Sequence, residues 1–139
     1  MMKIMAIDYG KKRAGIALTD PLGIIAQPLL TISYKSEREL IQRLKCLCAE
    51  NNVGLILVGN PHRADGSASE MSEEVKRFAR KLKKVLAIDV QFWDERYTSK
   101  LAQGFLKEYG IKSKDLDRIA ASLMLEEYLR WKGNVNSKC

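Results

Sequence analysis

An acidic residue, Asp8, closes the first apolar segment of the chain and is followed at once by a basic turn. The turn consists of Tyr9, Gly10, Lys11, Lys12 and Arg13, and a second apolar segment begins after it. The two-residue period of a strand puts Ile4, Ala6 and Asp8 on one face. A carboxylate on an apolar face costs free energy unless a positive charge compensates it. Asp8 is therefore the first candidate for a catalytic or metal-binding residue.

Two further acidic positions stand where a solvated acid is not expected. Asp94 and Glu95 follow a predicted strand, residues 88–93, and ligand sites of open α/β sheets lie beyond the carboxyl ends of strands. Asp117 falls within the apolar stripe of the last predicted helix. Each acid also has a purely structural alternative. Asp8 could cap its own turn, Glu95 could pair with an arginine, and Asp117 could bond to the backbone or to an arginine.

If these carboxylates converge, they repel one another unless cations lie between them. Hard oxygen ligands of this kind suit Mg²⁺ or Mn²⁺. Two such ions about 3.5–4 Å apart can stabilise the attacking and leaving oxygens of a phosphodiester displacement. The basic turn at Lys12 and Arg13 could hold a phosphate beside them. We therefore predict a metal-dependent phosphodiester hydrolase, with Asp8, Asp117 and either Asp94 or Glu95 as metal ligands.

The composition agrees with a polyanionic partner. The chain has 139 residues and a net charge of +7, which favours nucleic acid over an acidic protein or an anionic membrane. No apolar run approaches the roughly 20 residues of a membrane helix. The three cysteines fit no zinc or redox spacing, and Cys48 is expected to pack in the core. We expect a cytoplasmic protein with one domain, residues 1–132, and a loose polar tail, residues 133–139.

The predicted elements alternate in a way typical of a mixed sheet. The strands are predicted at residues 3–8, 14–19, 24–33, 53–58 and 88–93, and the helices after Ser36 and Ser67, over 98–109, and from Ser113 to about Trp131. Ser36 with Glu39 forms a capping-box pattern, and Pro28 indicates an edge strand or a bulge. Early hairpins and late strand–helix alternation predict an α/β fold with three antiparallel strands, then two parallel strands, and helices on both faces.

Four motifs in this order resemble those of one known family. They are the segment 7–17 around Asp8, the segment Val58-Gly59-Asn60-Pro61 with Asp65-Gly66-Ser67, the segment Asp94-Glu95-Arg96-Tyr97-Thr98, and Asp117 with Ala120-Ala121. The chain, from about residue 3 to 131, is similar to the YqgF family, also called the pre-16S rRNA nuclease or RuvX-type Holliday junction resolvase family.

The resemblance implies a ribonuclease H-like fold and a bacterial cytoplasmic nuclease that matures the 5′ end of 16S rRNA precursor. It implies Asp8, Glu95 and Asp117 as the acidic site, and Arg96 joins Lys12 and Arg13 as an expected phosphate contact. Asp94 and Glu95 are not both expected to face the metal ions, because neighbouring strand residues point to opposite sides. The chain departs from the family pattern at His62 and Arg63, where similar proteins often carry apolar or amide residues.

Several functions remain open at this point. The substrate could be structured precursor rRNA or branched DNA, and the chain could be a monomer or a homodimer; a resolvase normally works as a symmetric dimer. A non-catalytic RNA-binding assembly factor could keep the same acids. The Asp8-x-Gly10 pattern also resembles the phosphate loop of actin-like ATPases and sugar kinases. Those proteins need two such domains, and this chain is long enough for one.

Overall fold

The computed structural model describes residues 2–60, 70–94 and 108–137 of the chain. These ranges contain five strands and three helices. The elements are β1 (Lys3–Tyr9), β2 (Arg13–Thr19), β3 (Ala26–Ser33), α1 (Glu37–Asn51), β4 (Val53–Asn60), α2 (Glu70–Leu86), β5 (Asp89–Asp94) and α3 (Ser113–Ser137).

The five strands form one mixed sheet in the order β3-β2-β1-β4-β5. The strand β2 runs antiparallel to both β1 and β3, and β4 runs parallel to both β1 and β5. The predicted fold class is therefore confirmed. The β3 strand lies on the edge, and its pairing with β2 shifts register next to Pro28, which cannot donate a ladder hydrogen bond. The carboxyl ends of β1, β4 and β5 share one edge, which we call the carboxyl edge.

The two faces of the sheet carry separate apolar cores. Alternate residues of β1, Met5 and Ile7, pack with α1 and α2 on one face. The intervening residues, Ile4 and Ala6, pack with α3 on the other. The α1 side holds the larger of the two cores, which includes Phe78 of α2, a residue that is 1% exposed. This alternation places helices on both faces, as predicted, and it decides the face on which each residue at the carboxyl edge lies.

The start of α1 follows its predicted signal. The hydroxyl of Ser36 accepts a hydrogen bond from the backbone N–H of Glu39 at 3.2 Å, and the Glu39 carboxylate accepts one from the backbone N–H of Lys35. The first turn of the helix is thus capped by side chains. Cys48, farther along α1, is buried as predicted, and burial raises the pKa of its thiol to about 11.

The helix α3 is longer than predicted. It continues to Ser137, through part of the segment 133–139 that we expected to be a loose tail. No proline interrupts this segment, and one helical glycine, Gly133, costs only about 1 kcal/mol, whereas each added residue gains a backbone hydrogen bond. The helix predicted over 98–109 lies almost wholly outside the described residues. None of the described helices combines the length and the apolar composition that crossing a bilayer requires.

Aromatic side chains fasten the middle of α3 to the end of β5. The ring of Trp93 lies 5.4 Å, centroid to centroid, from that of Tyr128 in an edge-on arrangement, and 5.7 Å from that of Trp131. Offset and edge-on pairs of this kind add to the free energy gained by burial. The cluster fixes the position of α3 relative to the strand that ends at Asp94.

Candidate active site

Asp8 lies at the carboxyl edge, on the face that α3 covers. It follows Ile4 and Ala6 in the alternation of β1, and both of these pack in the α3 core. Its partner in β2 is Gly15. One residue before it, Ile7 pairs with Val58, so Gly59 is the next residue along the parallel neighbour β4. The main chain on both sides of Asp8 thus carries glycine, so no side chain from either neighbouring strand lies directly beside the carboxylate on this face.

The first turns of α3 rest directly on Gly15. An added Cβ at Gly15 would lie 1.9 Å from the carbonyl oxygen of Asp117 and 2.6 Å from the backbone nitrogen of Arg118. Only glycine permits this approach of helix backbone to strand backbone. Because Gly15 is also the cross-strand partner of Asp8, the sheet and the helix bring Asp8 and Asp117 to neighbouring positions.

Asp117 forms an ion pair with the basic turn. Its Oδ2 lies 2.9 Å from Nε of Arg13, and the two side chains are 26% and 43% exposed. Burial raises the pKa of the Asp117 carboxyl above its ordinary value, and the Arg13 charge offsets only part of this effect. The surroundings of Asp117 therefore disfavour its charged form, and further positive charge at this place would stabilise it.

The basic turn is held from both sides. The backbone N–H of Gly10 donates to the carbonyl of Arg13 at 3.0 Å, which closes the turn. Tyr34, which follows β3, donates its backbone N–H to the carbonyl of Lys12 at 3.1 Å. The Tyr34 hydroxyl donates to the carbonyl of Gly10. Tyr34 also stacks on Tyr9, with ring centroids 6.4 Å apart, so the turn is fixed to the edge strand and to the core.

The Tyr34 hydroxyl keeps its proton under ordinary conditions. Burial raises its pKa, and the neighbouring Tyr9 raises it further. Burial also raises the pKa of Tyr9. A protonated Tyr34 can donate to Gly10 across the working pH range, so this hydrogen bond, which we call the Tyr34 clamp, is not lost by titration there.

A depression of about 370 Å³ opens between the turn and the helix. It is lined by Gly10, Lys11, Lys12, Arg13 and Asp117. Lys11 and Lys12 are exposed at its rim, whereas Asp117 forms part of its wall. In such an arrangement the cationic side chains can bind a phosphate, and the neighbouring carboxylate can bind a divalent cation.

Four of the six predicted site residues lie at this end of the sheet: Lys12, Arg13 and Asp117 line the depression, and Asp8 stands opposite Gly15, on which α3 rests. The remaining two, Glu95 and Arg96, lie outside the described residues, as do His62 and Arg63. The described part of β5 ends at Asp94, whose partner in β4 is Asn60. Among residues 2–60, 70–94 and 108–137, no three acidic, histidine or cysteine side chains form a metal-binding group. A three-carboxylate site would need a ligand from outside these ranges.

Two residues that shape the site were not predicted from the sequence. Gly15 could have been noticed, because a glycine inside a strand often marks the close approach of another backbone. Tyr34 gives no local signal, since its role depends on the antiparallel return of β3 beside the turn. The structural alternative for Asp117, a bond to an arginine, is what the described residues show.

Comparisons with known proteins agree with this architecture. A family model described as "RuvX: Holliday junction resolvase" matches residues 2–131. A protein named "Putative pre-16S rRNA nuclease" from Syntrophus aciditrophicus is 42% identical over 132 residues, covering 92% of this chain and 88% of that protein. Its namesake from Koribacter versatilis is 38% identical, with 94% and 88% covered.

Solved structures show the same fold at low sequence identity. RuvC of T. thermophilus, in complex with a Holliday junction substrate, has a TM-score of 0.62 and 13% identity, covering 95% of this chain and 97% of that chain. The fowlpox virus Holliday junction resolvase has a TM-score of 0.56 and 15% identity, with 94% and 99% covered. The family match spans nearly the whole chain, and the predicted resemblance is confirmed: the chain belongs to the RuvX family.

Proposed function

We propose that this chain is a metal-dependent nuclease that processes the 5′ end of 16S rRNA precursor in the cytoplasm. The observation that carries the proposal is the juxtaposition at the carboxyl edge: Asp8 and Asp117 lie on one face, beside a turn with three basic side chains. Relatives named as pre-16S rRNA nucleases support the substrate class. The net charge of +7 suits an RNA backbone.

The described acids fit a divalent cation such as Mg²⁺ or Mn²⁺. Carboxylate oxygens are the ligands that these ions prefer. Asp117 is partly buried, its pKa is raised, and one cationic side chain already lies against it. We propose Asp8, Asp117 and Glu95 as the ligands. Glu95 is included because it belongs to the Asp94-Glu95-Arg96 motif and stands two residues after Trp93 in the sequence; Trp93 itself packs in the α3 core.

Bound divalent ions would activate a water and stabilise the leaving oxygen of the phosphodiester. The side chains of the turn would position the substrate for this reaction. Lys12, Arg13 and Arg96 would contact phosphate oxygens. A divalent ion bound to Asp117 would neutralise the carboxylate and weaken its ion pair with Arg13. The Arg13 side chain would then be available to bind a phosphate. Water adds to phosphorus and one ester P–O bond breaks, which leaves a phosphate end and a hydroxyl end.

A cleavage assay tests the proposal. Purified protein with Mn²⁺ or Mg²⁺ is incubated with precursor RNA that carries an unprocessed 5′ end, and we expect Asp8→Asn and Asp117→Asn to abolish cleavage. Asp115→Asn is the matched control. It makes the same substitution two residues earlier in α3, where Asp115 pairs with Arg118, and it should cleave normally. Equal cleavage by all three variants would mean that the activity belongs to a contaminant.

A second substrate, four-way DNA, is supported by the family description. The acids catalyse the same displacement on either backbone, so they do not discriminate between RNA and DNA. Side-by-side cleavage of junction DNA and precursor RNA would decide. A resolvase cuts two symmetric strands and should be a dimer at working concentration, whereas a strict monomer would favour RNA. A non-catalytic assembly factor predicts instead that Asp8→Asn still rescues a deletion strain.

A further inference from the structure

A second basic surface lies on the face of the sheet opposite to α3, between α1 and α2. This α1–α2 groove has a volume of about 350 Å³. Its lining residues are Arg38, Ile41, Gln42 and Lys45 of α1 and Lys81 and Val85 of α2. The floor is apolar: Ile41 is buried and Val85 is 49% exposed. The three charged lining residues are all cationic and all exposed.

The charge of the groove restricts its occupant. Among the described residues, the acid paired with a lining cation is Glu37, whose Oε2 lies 3.7 Å from Nζ of Lys81. An exposed pair at that distance contributes little free energy, so Lys81 remains available to another anion. A second copy of this same groove would bring like charges together. An anionic partner is therefore favoured.

The position of the groove favours a nucleic acid over an acidic protein as its occupant. Both helices follow strands that end at the carboxyl edge, so both run from that edge toward the opposite one. Arg38 stands in the first turn of α1, four residues after Tyr34, which is hydrogen-bonded to the basic turn. The basic surface thus begins four residues along the chain from the residue that holds the turn at the candidate active site. It then continues along α1 from Arg38 to Lys45, a rise of about 10 Å.

We propose that the α1–α2 groove binds the RNA strand beyond the cleavage site, a few nucleotides away from the phosphate held by the basic turn. This rests on the proposed function for the identity of the strand. Arg38, Lys45 and Lys81 contact successive phosphates, and the apolar floor supports the face of a base or sugar. The groove thus extends the substrate path over the carboxyl edge onto the second face of the sheet.

The test compares two triple variants with equal net charge. The groove variant is Arg38→Gln, Lys45→Gln and Lys81→Gln. The control variant is Arg43→Gln, Lys76→Gln and Lys83→Gln, three basic residues of the same helices that do not line the groove. Binding of end-labelled precursor RNA is measured by fluorescence anisotropy in EDTA, so that no cleavage occurs, at several salt concentrations. Circular dichroism confirms that both variants are folded.

The salt dependence gives a quantitative result. Three lost phosphate contacts should lower the slope of log K against log salt by about 2, since each single-strand contact contributes roughly 0.7. Between about 50 and 200 mM salt, the wild type should therefore lose about 20-fold more affinity than the groove variant. The control variant should keep the wild-type slope. Shortening the RNA from the end that follows the cleavage site should abolish the difference.

Two results would overturn the groove proposal. One is an equal slope of log K against log salt for the groove and control variants. The other is a difference in slope that persists with an RNA too short to reach from the basic turn to the groove. Neither depends on catalysis. If the wild type binds RNA with the predicted difference but cuts nothing with Mn²⁺, the proposed nuclease function fails and the groove stands. If it cuts RNA and the slopes are equal, the groove fails and the nuclease stands.

Discussion

Substitution of Gly15 by alanine tests whether the close packing of α3 on β2 positions Asp8 and Asp117. The new Cβ would lie 1.9 Å from the carbonyl oxygen of Asp117, and ordinary contact begins at 3.4 Å. The obstacle is backbone, so no side chain can turn away. The start of α3 must therefore withdraw by about 1.5 Å.

We expect this displacement to affect catalysis more than folding. Overpacking of this kind costs about 1–3 kcal/mol in the free energy of unfolding. A misplacement of about 1 Å in a catalytic group can lower the rate about 100-fold. Cleavage of precursor RNA by Gly15→Ala with Mn²⁺ should thus fall by about two orders of magnitude. RNA binding in EDTA should change far less, because the hydrogen bonds of Tyr34 hold the basic turn independently of its ion pair with α3.

Gly133→Ala is the matched control. It is the same substitution in α3 itself, and its Cβ would meet nothing within 4 Å. We expect wild-type cleavage and a gain in unfolding free energy of up to about 1 kcal/mol, because alanine is the better helix former. If Gly15→Ala matched this control in both rate and thermal stability, α3 could not rest on β2 as described, and the juxtaposition of Asp8 with Asp117 would be refuted.

Three further substitutions have definite expected outcomes. Asp117→Asn should raise the unfolding temperature of the metal-free protein at neutral pH, because burial penalises the charged form of the wild-type carboxyl. This advantage should disappear as the pH falls through the raised pKa of that carboxyl. In thermal scans, Mn²⁺ should stabilise the wild type alone. Tyr34→Phe, which loses the hydroxyl bond to Gly10, should raise KM for RNA by roughly two- to tenfold with little change in kcat in steady-state kinetics. A fall in kcat alone would contradict the idea that Tyr34 holds the turn for substrate binding. Ser36→Ala should lower the free energy of unfolding by about 1 kcal/mol in urea titrations without altering cleavage, whereas no loss would mean that the cap on Glu39 is not formed.

Local periodicity was sufficient to predict the sheet, because each strand carries its own signal. The alternation around Asp8, the proline in β3 and the capping box at Ser36 each depend on residues close together in the chain. The end of α3 was wrong because helix termination depends on small propensity differences. Gly133 alone is too weak a signal to stop a helix already formed.

The site was harder to predict, because its geometry depends on contacts between distant segments. The apolar stripe of α3 indicated that Asp117 faces inward, and this is confirmed by the burial of Ala120 and Ala121 beside it. The sequence could not say that Arg13 would be the partner of Asp117, nor that Tyr34 would clamp the turn. The first contact depends on the packing of α3 on β2, and the second on the pairing of β3 with β2. The part played by Glu95 stays a prediction.

The aromatic cluster on α3 has a practical consequence for spectroscopy. The chain has two tryptophans, Trp93 and Trp131, and both belong to this cluster. Intrinsic emission therefore originates from one location, the junction between α3 and the end of β5. Trp93 stands two residues before Glu95, so any shift of that strand end on binding a cation changes the surroundings of the indole. Binding of Mg²⁺ at the proposed site would thus be followed optically, without a label and without substrate.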